Sequence, residues 1–355
     1  MDTLLPLPDW PRAHGIPAGR GSIRTRVEDF QVDELSAVEA SGEGEHLWLR
    51  LEKQGENTAW VARQLARAAG IRERDVGYAG RKDRHSVARQ LFSLSVAGDA
   101  AQQVLQAAIP GVRILEHWRH SRKLKRGALT GNRFQIVLRQ LDGDPAGLEE
   151  RFARLVTTGV PNYFAEQRFG IHGQNLARAL LLLSRKRRFP RHLSNIYCSA
   201  ARSYFFNQVL AERVRDGSWN QLIEGDLAQL AGRRAIFPAT SLDAELAGRC
   251  AALEIHPTGP LPGAGQTSSG RCLELEQRVL AAHPGWLESL QSAGLEASRR
   301  SLRLALEKAA LRIDDDCLTV SFELPAGGFA TAVLRELVDY HDVQSRRHTK
   351  AGELQ

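Results

Sequence analysis

The stretch VGYAGRKDRHSVARQLFSL, residues 76–94, sets one carboxylate, Asp83, among four cations, Arg81, Lys82, Arg84 and Arg89, with His85 beside it. From Gln90 onward the residues alternate. Phe92, Leu94 and Val96 fall on one face and Leu91, Ser93 and Ser95 on the other, the period of a half-buried strand. Asp83 is therefore expected in a loop anchored to a sheet. Loops on rigid supports often carry chemistry, and flanking cations favour the anionic form of a carboxylate that nucleophilic attack requires. The same residues also fit an aspartate that caps a turn or pairs with Lys82 at the surface.

On the N-terminal side, SIRTRVEDFQVDEL (residues 22–35) predicts two short strands around a bend, with Phe30 and Val32 on a shared face. Residues 46–53 alternate Leu47, Leu49 and Leu51 against Trp48, Arg50 and Glu52, which predicts a strand. Val61, Leu65 and Ala68 then recur at helical spacing, with Asn57 or Thr58 to cap the helix and Gly70 to close it. Strand, helix, strand, loop, strand is an α+β order rather than regular βαβ repetition.

On the C-terminal side, residues 102–108 predict a short helix and 112–117 a strand. RHSRKLKRGALTGNRF (119–134) predicts a loop entering a strand that carries Phe134, Ile136 and Leu138. Between Arg113 and Arg139 eight Lys/Arg face one Glu, a net +7 that equals the formal charge of the whole chain. Arg119, Arg122, Lys123, Lys125 and Arg126 suit backbone phosphates, while Asn132 and Phe134 suit reading and stacking a base. Phe134 also shares its parity with Ile136 and Leu138, which fits core packing equally. The Pro-led, aromatic run VPNYFAEQRFG (160–170) reads as a structural wedge between helices. A helix over 176–183 runs into Arg185, Lys186, Arg187 and Arg188. One helix end needs fewer cations than that, so RNA contact is expected. Further helices are predicted over 196–214, capped by Ser194, and over 274–283 and 302–311. A strand at 318–324 and a helix from Phe329 follow.

The length of 355 residues and 43% hydrophobic content allow one large or two ordinary domains. Lys plus Arg (48) exceed Asp plus Glu (41), which points to a polyanionic partner. Cys198, Cys250, Cys272 and Cys317 lie far apart, without metal-ligand spacing, and are expected as reduced, buried thiols. The proline-broken start does not read as a signal peptide, and no apolar run approaches the roughly 20 residues of a membrane span. A cytoplasmic location is expected. Neither a G-x-x-x-x-G-K-[ST] loop nor a G-x-G-x-x-G turn between strand and helix occurs, so a nucleotide or S-adenosylmethionine site has no support.

The run G-Y-A-G-R-K-D-R-H with the following R-Q (77–85, 89–90) resembles the catalytic motif of the tRNA pseudouridine synthase D family. Four more segments resemble that family in the same order: Arg24 before E-D-F-x-V-x-E (28–34), H-x-x-K-L-x-x-G-x-L-x-G-N-x-F (120–134), N-Y-F-x-x-Q-R-F-G (162–170) and L-P-x-G-x-F-A-T-x-x-L-R-E (324–336). The resemblance implies an α+β fold. A pseudouridine synthase-type catalytic domain with a mixed, mostly antiparallel sheet would comprise residues 1–157 and 304–355, interrupted by a smaller inserted α/β domain at 158–303. It further implies conversion of uridine to pseudouridine in tRNA, in bacteria at position 13, with Asp83 as nucleophile. Phe30, Asn132, Phe134 and Phe329 would contact the substrate. Lys82 and Arg24, which stands where the family usually has lysine, would hold Asp83 ionised or bind phosphate.

That reaction breaks C1′–N1 and joins C1′ to C5. It is redox-neutral and moves no phosphate, so no cofactor or metal is expected. tRNA is the expected partner, with no membrane and no obligate protein partner. The base must leave its stack at a cost of a few kcal/mol and be held between apolar surfaces. The rival reading is a non-catalytic RNA-binding protein or RNA chaperone using the same basic cleft.

Overall fold

In the computed structural model, which describes residues 7–17, 19–38, 41–265 and 268–344, the segment after Asp83 forms the strand Val87–Ser95, buried on both faces rather than one. Phe92 and Leu94 pack with Leu49, Leu51, Val61 and Leu65, whereas Leu91 packs with Trp48, Ala79 and Leu124. Ser93 is fully enclosed because its hydroxyl accepts the Leu124 N–H at 2.9 Å. Alternation located the strand, but polarity understated its burial: a serine satisfied by a backbone donor costs little in a core.

The strand is central in a sheet whose members are numbered along the chain. They are β1 (Gly19–Ile23), β2 (Phe30–Leu35), β3 (His46–Gln54), β4 (Gly77–Tyr78), β5 (Val87–Ser95), β6 (Val112–His120), β7 (Gly131–Gly143), β8 (Glu307–Asp314), β9 (Cys317–Pro325) and β10 (Asp339–Asp342). The order is β8–β9–β7–β2–β5–β3–β6, with β1 joined to β7 and β10, and β4 to β5. Pairs β2–β5 and β1–β10 are parallel and the rest antiparallel, so the sheet is mixed and mostly antiparallel. With its helices it makes an α+β fold. Helix α1 (Thr58–Ala69) is capped by Asn57, which accepts the Trp60 N–H, and ends at Gly70 in the left-handed region (φ 66°) that a glycine enters without strain. Opposite pairs Phe30–Ile136 and Val32–Phe134, with Phe322 across from Phe134, place these buried side chains on one face.

Residues 302–311 are not the expected helix. Arg303–Leu304 is a short strand and β8 begins at Glu307, making a hairpin with β9 through Asp315 (φ 51°) and Asp316. Alanine, leucine, glutamate and lysine favour a helix by only tenths of a kcal/mol each, which the pairing with β9 outweighs.

This sheet belongs to one compact unit, Ala18–Glu149 with Leu306–Gly328 and the residues from Val338 on. The other unit comprises Glu150–Ala305, Phe329–Leu337 and the N-terminal residues through Pro17. Its long helix Arg191–Arg215 starts one turn before the expected Ile196. Ser194 lies inside that first turn and donates to the Phe189 carbonyl instead of capping. Around it Tyr163, Phe164, Phe169, Phe206, Leu210 and Trp219 form a core, so the aromatic run at 160–170 is structural in large part. A sheet in the order Ile236–Pro238, Leu227–Leu230, Ile255–Leu261, Ser298–Ser301 completes the unit. Cys198, Cys250 and Cys272 are buried free thiols. Cys317, at the β8–β9 turn, is only half-buried, contrary to expectation. Among the described residues no helix is long and apolar enough to cross a membrane.

Candidate active site

The loop carrying Asp83 is pinned from three sides. At its entry Gly77 lies so close to its neighbours that a Cβ would stand 2.5 Å from the Leu124 carbonyl oxygen and from Ser93 Oγ. Along its length the Lys82 N–H donates to Thr58 Oγ1 (2.9 Å). Thr58 in turn donates to Gln90 Oε1 (2.9 Å), and Gln90 Nε2 donates to the Gly80 carbonyl (3.3 Å). At Asp83 itself the backbone carbonyl accepts from Lys53 Nζ (2.6 Å) and from Ser86 Oγ (2.9 Å). Fixing the backbone on both sides of the residue fixes where its side chain starts.

The Asp83 carboxylate accepts from Arg24 Nη2 through Oδ2 at 2.8 Å, and no hydrogen bond to Oδ1 is formed among the described residues. Its side chain is 30% exposed while that of Arg24 is 6% exposed, so the aspartate is the open end of the pair. Arg24 also bonds Asp342, and its guanidinium lies 4.4 Å from the centroid of Phe30. Its backbone is left-handed (φ 55°), a strained state for a non-glycine, held in part by Gln344 donating to its carbonyl. Phe30 meets Phe134 edge-on at 6.3 Å, and Phe134 meets Phe322 at 5.6 Å.

Lys82 does not pair with Asp83. Its ammonium sits 2.9 Å from Glu34 and donates to Asn132 Oδ1 at 2.6 Å. Glu34 stands opposite Asn132 in the β2–β7 ladder, just where the β2–β5 ladder has stopped at Asp33–Arg89. Its Oε1 accepts the Leu91 N–H (3.3 Å) there. The Glu34 and Lys82 side chains are 0% and 5% exposed, and an ion pair so enclosed needs these extra hydrogen bonds to offset its desolvation. Lys53 is fully buried, and burial pulls its pKa down to about 8 against the opposing pull of the Asp83 charge.

Six of the expected site residues, Arg24, Phe30, Lys82, Asp83, Asn132 and Phe134, thus join in one connected set inside the first unit. Phe30 and Phe134 contribute as buried rings (4% and 7% exposed) rather than as an open platform. Phe329 belongs to the second unit, where its ring meets Phe164 at 6.2 Å. Of the basic loop, Arg122, Lys125 and Arg126 are exposed, with Arg126 5.5 Å above the Tyr78 ring. Lys123 and Arg119 instead donate to the carbonyls of Arg74 and Val96. Arg185, Lys186, Arg187 and Arg188 are all exposed in the second unit.

Two participants escaped the sequence reading, and each left a trace. Glu34 ends the E-D-F-x-V-x-E run at the parity of the buried Phe30 and Val32. Lys53 continues the parity of Leu47, Leu49 and Leu51. A charge at a core parity is the signal. Among the described residues no group of three or more His, Cys, Asp or Glu is placed to hold a metal.

The family model described as tRNA pseudouridine synthase D (TruD) matches residues 13–181 and 172–337. A tRNA pseudouridine synthase D from Methylococcus capsulatus is 48% identical over 94% of this chain and 95% of its own length. One from Hydrogenovibrio crunogenus is 44% identical over 92% and 95%. A crystal structure of a proposed tRNA pseudouridine synthase D from Methanosarcina mazei superposes with a TM-score of 0.68 at 21% identity, covering 92% of this chain and 95% of that one, and so supports the fold. Since the family model and the relatives span nearly the whole chain, this protein belongs to the tRNA pseudouridine synthase D family.

Proposed function

We propose that this chain is an isomerase that converts uridine to pseudouridine in tRNA, at position 13, with Asp83 as the nucleophile. The carrying observation is the Asp83 carboxylate itself, one oxygen anchored on a buried arginine and the other without a hydrogen bond among the described residues. In this reading Oδ1 attacks C1′ of an extruded uridine and the C1′–N1 electron pair leaves with uracil. The base turns, C5 attacks C1′ and displaces Asp83, C5 loses its proton and N1 gains one, so the product is an isomer and nothing is consumed. Arg24 orients the nucleophile and spreads its charge over a guanidinium stacked on Phe30. The Lys82 ammonium occupies Asn132 Oδ1, which leaves the Asn132 amide protons as donors toward a uracil carbonyl. Phe30, Phe134 and Phe329 supply apolar surface for the base. The exposed cations of residues 119–126 and 185–188 track RNA phosphates.

The reading includes a catalytic domain made of residues 1–157 and 304–355 around an inserted domain at 158–303. It places the enzyme in the cytoplasm, without an obligate protein partner. The relatives' names favour it over an RNA chaperone. The test is incubation of purified protein with an unmodified tRNA transcript in buffer alone, followed by mapping of pseudouridine. Wild type should form it, and Asp83→Asn should lose it while still binding the transcript. Equal product from both proteins, or binding with no product from wild type, would overturn the assignment.

A further inference from the structure

In the second unit two arginines stand over one phenyl ring, and a third lines the cavity beside it. The guanidinium of Arg300 lies 4.2 Å and that of Arg168 5.3 Å from the centroid of Phe164. Asn207, fully buried, accepts the Phe164 N–H (2.9 Å) and donates to its carbonyl (3.1 Å), so the ring stands on a fixed backbone. Phe164 also walls a cavity of about 180 Å³ shared with Asn195, Ser199, Arg202, Ser203 and Leu261, and no acid is among its lining residues.

Two of these guanidinium groups, Arg168 and Arg202, are held by hydrogen bonds alone. Arg168 makes one long hydrogen bond, 3.4 Å to Ser199 Oγ. Arg202 gives its Nη2 to the carbonyls of Leu261 and Glu296 and to Ser298 Oγ. Among the described residues neither forms an ion pair, and Glu166, two residues before Arg168, forms none with it. The Nε of Arg202 is buried without a hydrogen-bond partner. Arg300 donates to Asn162 Oδ1 at 2.6 Å. Burial, and then the charge of Arg168, pull its pKa down to about 10. Clustered guanidinium groups beside an acid-free cavity with serine and asparagine donors have the chemistry of an anion site, and guanidinium is the group that best matches phosphate.

We propose that this cavity and its arginine rim seat a phosphodiester of the RNA substrate, gripped by Arg168, Arg202 and Arg300. The proposal rests on the reading that the substrate is tRNA. It gives the aromatic run at 160–170 a second role: Phe164 spaces the cations and meets the Phe329 ring edge-on at 6.2 Å.

The decisive measurement is the salt dependence of tRNA affinity. Arg168 is the member to change, because it is exposed and holds little of the fold. Each phosphate contact contributes roughly 0.9 to the slope of log K against log salt, so Arg168→Gln should lower that slope by about 1 and Arg168→Lys should restore it. The loss should be equal for a transcript whose target uridine is replaced by cytidine, since the backbone and not the base is held. A slope for Arg168→Gln equal to wild type, with an unchanged melting temperature, would overturn the seat. So would a loss seen only with the uridine-bearing transcript. Product formation by Asp83→Asn, measured in parallel, reports on the catalytic reading alone, so either conclusion can fail without the other.

Discussion

At the scale of residues, the site works by division of labour among charges. Arg24 serves Asp83, Lys82 serves Glu34 and Asn132, and Lys53 holds the Asp83 carbonyl, so no two cations compete for one acid. The motif lettering placed lysine beside aspartate, and adjacency in sequence suggested a pair. Neighbouring side chains in an extended loop diverge, and the structure sends them to different partners. Lys53 gives this arrangement a pH signature. Its pKa of about 8 lies below the ordinary 10.5, so between those values the folded chain holds fewer protons than the unfolded chain. Stability should therefore rise with pH across that window, by at most about 1.4 kcal/mol per pH unit from this one group. Its desolvation cost is present in full below pH 8. Denaturant titrations of wild type and Lys53→Met at pH 7, 8, 9 and 10 will show this as a pH-dependent difference between the curves. Parallel curves would mean that Lys53 keeps its ordinary pKa.

Among elements, the loop is only as rigid as the strand pair that launches it. β4 is two residues long, and its Gly77 admits no side chain beside the Leu124 carbonyl. Gly77→Ala should cost about 1–3 kcal/mol, the usual range for overpacking, and should slow pseudouridine formation more than it weakens tRNA binding. Gly248 is the contrast. It lies exposed in the helix Ala244–Ala251 with nothing within 4 Å of an added Cβ, so Gly248→Ala should stabilise by about 0.5–1 kcal/mol. Thermal melts of the two variants decide both points. Periodicity located β2, β3, β5 and α1, because each carries its own burial pattern. It missed β8, whose helix-favouring residues are paired by a strand formed later in the chain.

For the whole molecule, net charge +7 and a concentrated basic loop predict binding that weakens steeply with salt. Three of the five cations at 119–126 are exposed, and two are used internally. Replacing Arg122, Lys125 and Arg126 with glutamine should lower the salt slope of tRNA affinity by about 3, whereas a Lys123→Gln change should act mainly on stability. Filter-binding or fluorescence titrations from low to moderate salt would distinguish these. A triple variant with the wild-type slope would remove this loop from the RNA interface.

By itself the sequence determined the family, the α+β class, the candidate nucleophile Asp83 and the concentration of positive charge, because motifs and periodicity are properties of short segments. The tertiary structure alone decided which cation meets Asp83, that Glu34 and Lys53 lie beside it, and that Arg168 and Arg300 both stand over Phe164. Those outcomes depend on strand register and burial, which bring together residues tens to hundreds of positions apart and leave in any one segment only a charge at a parity where an apolar residue was expected.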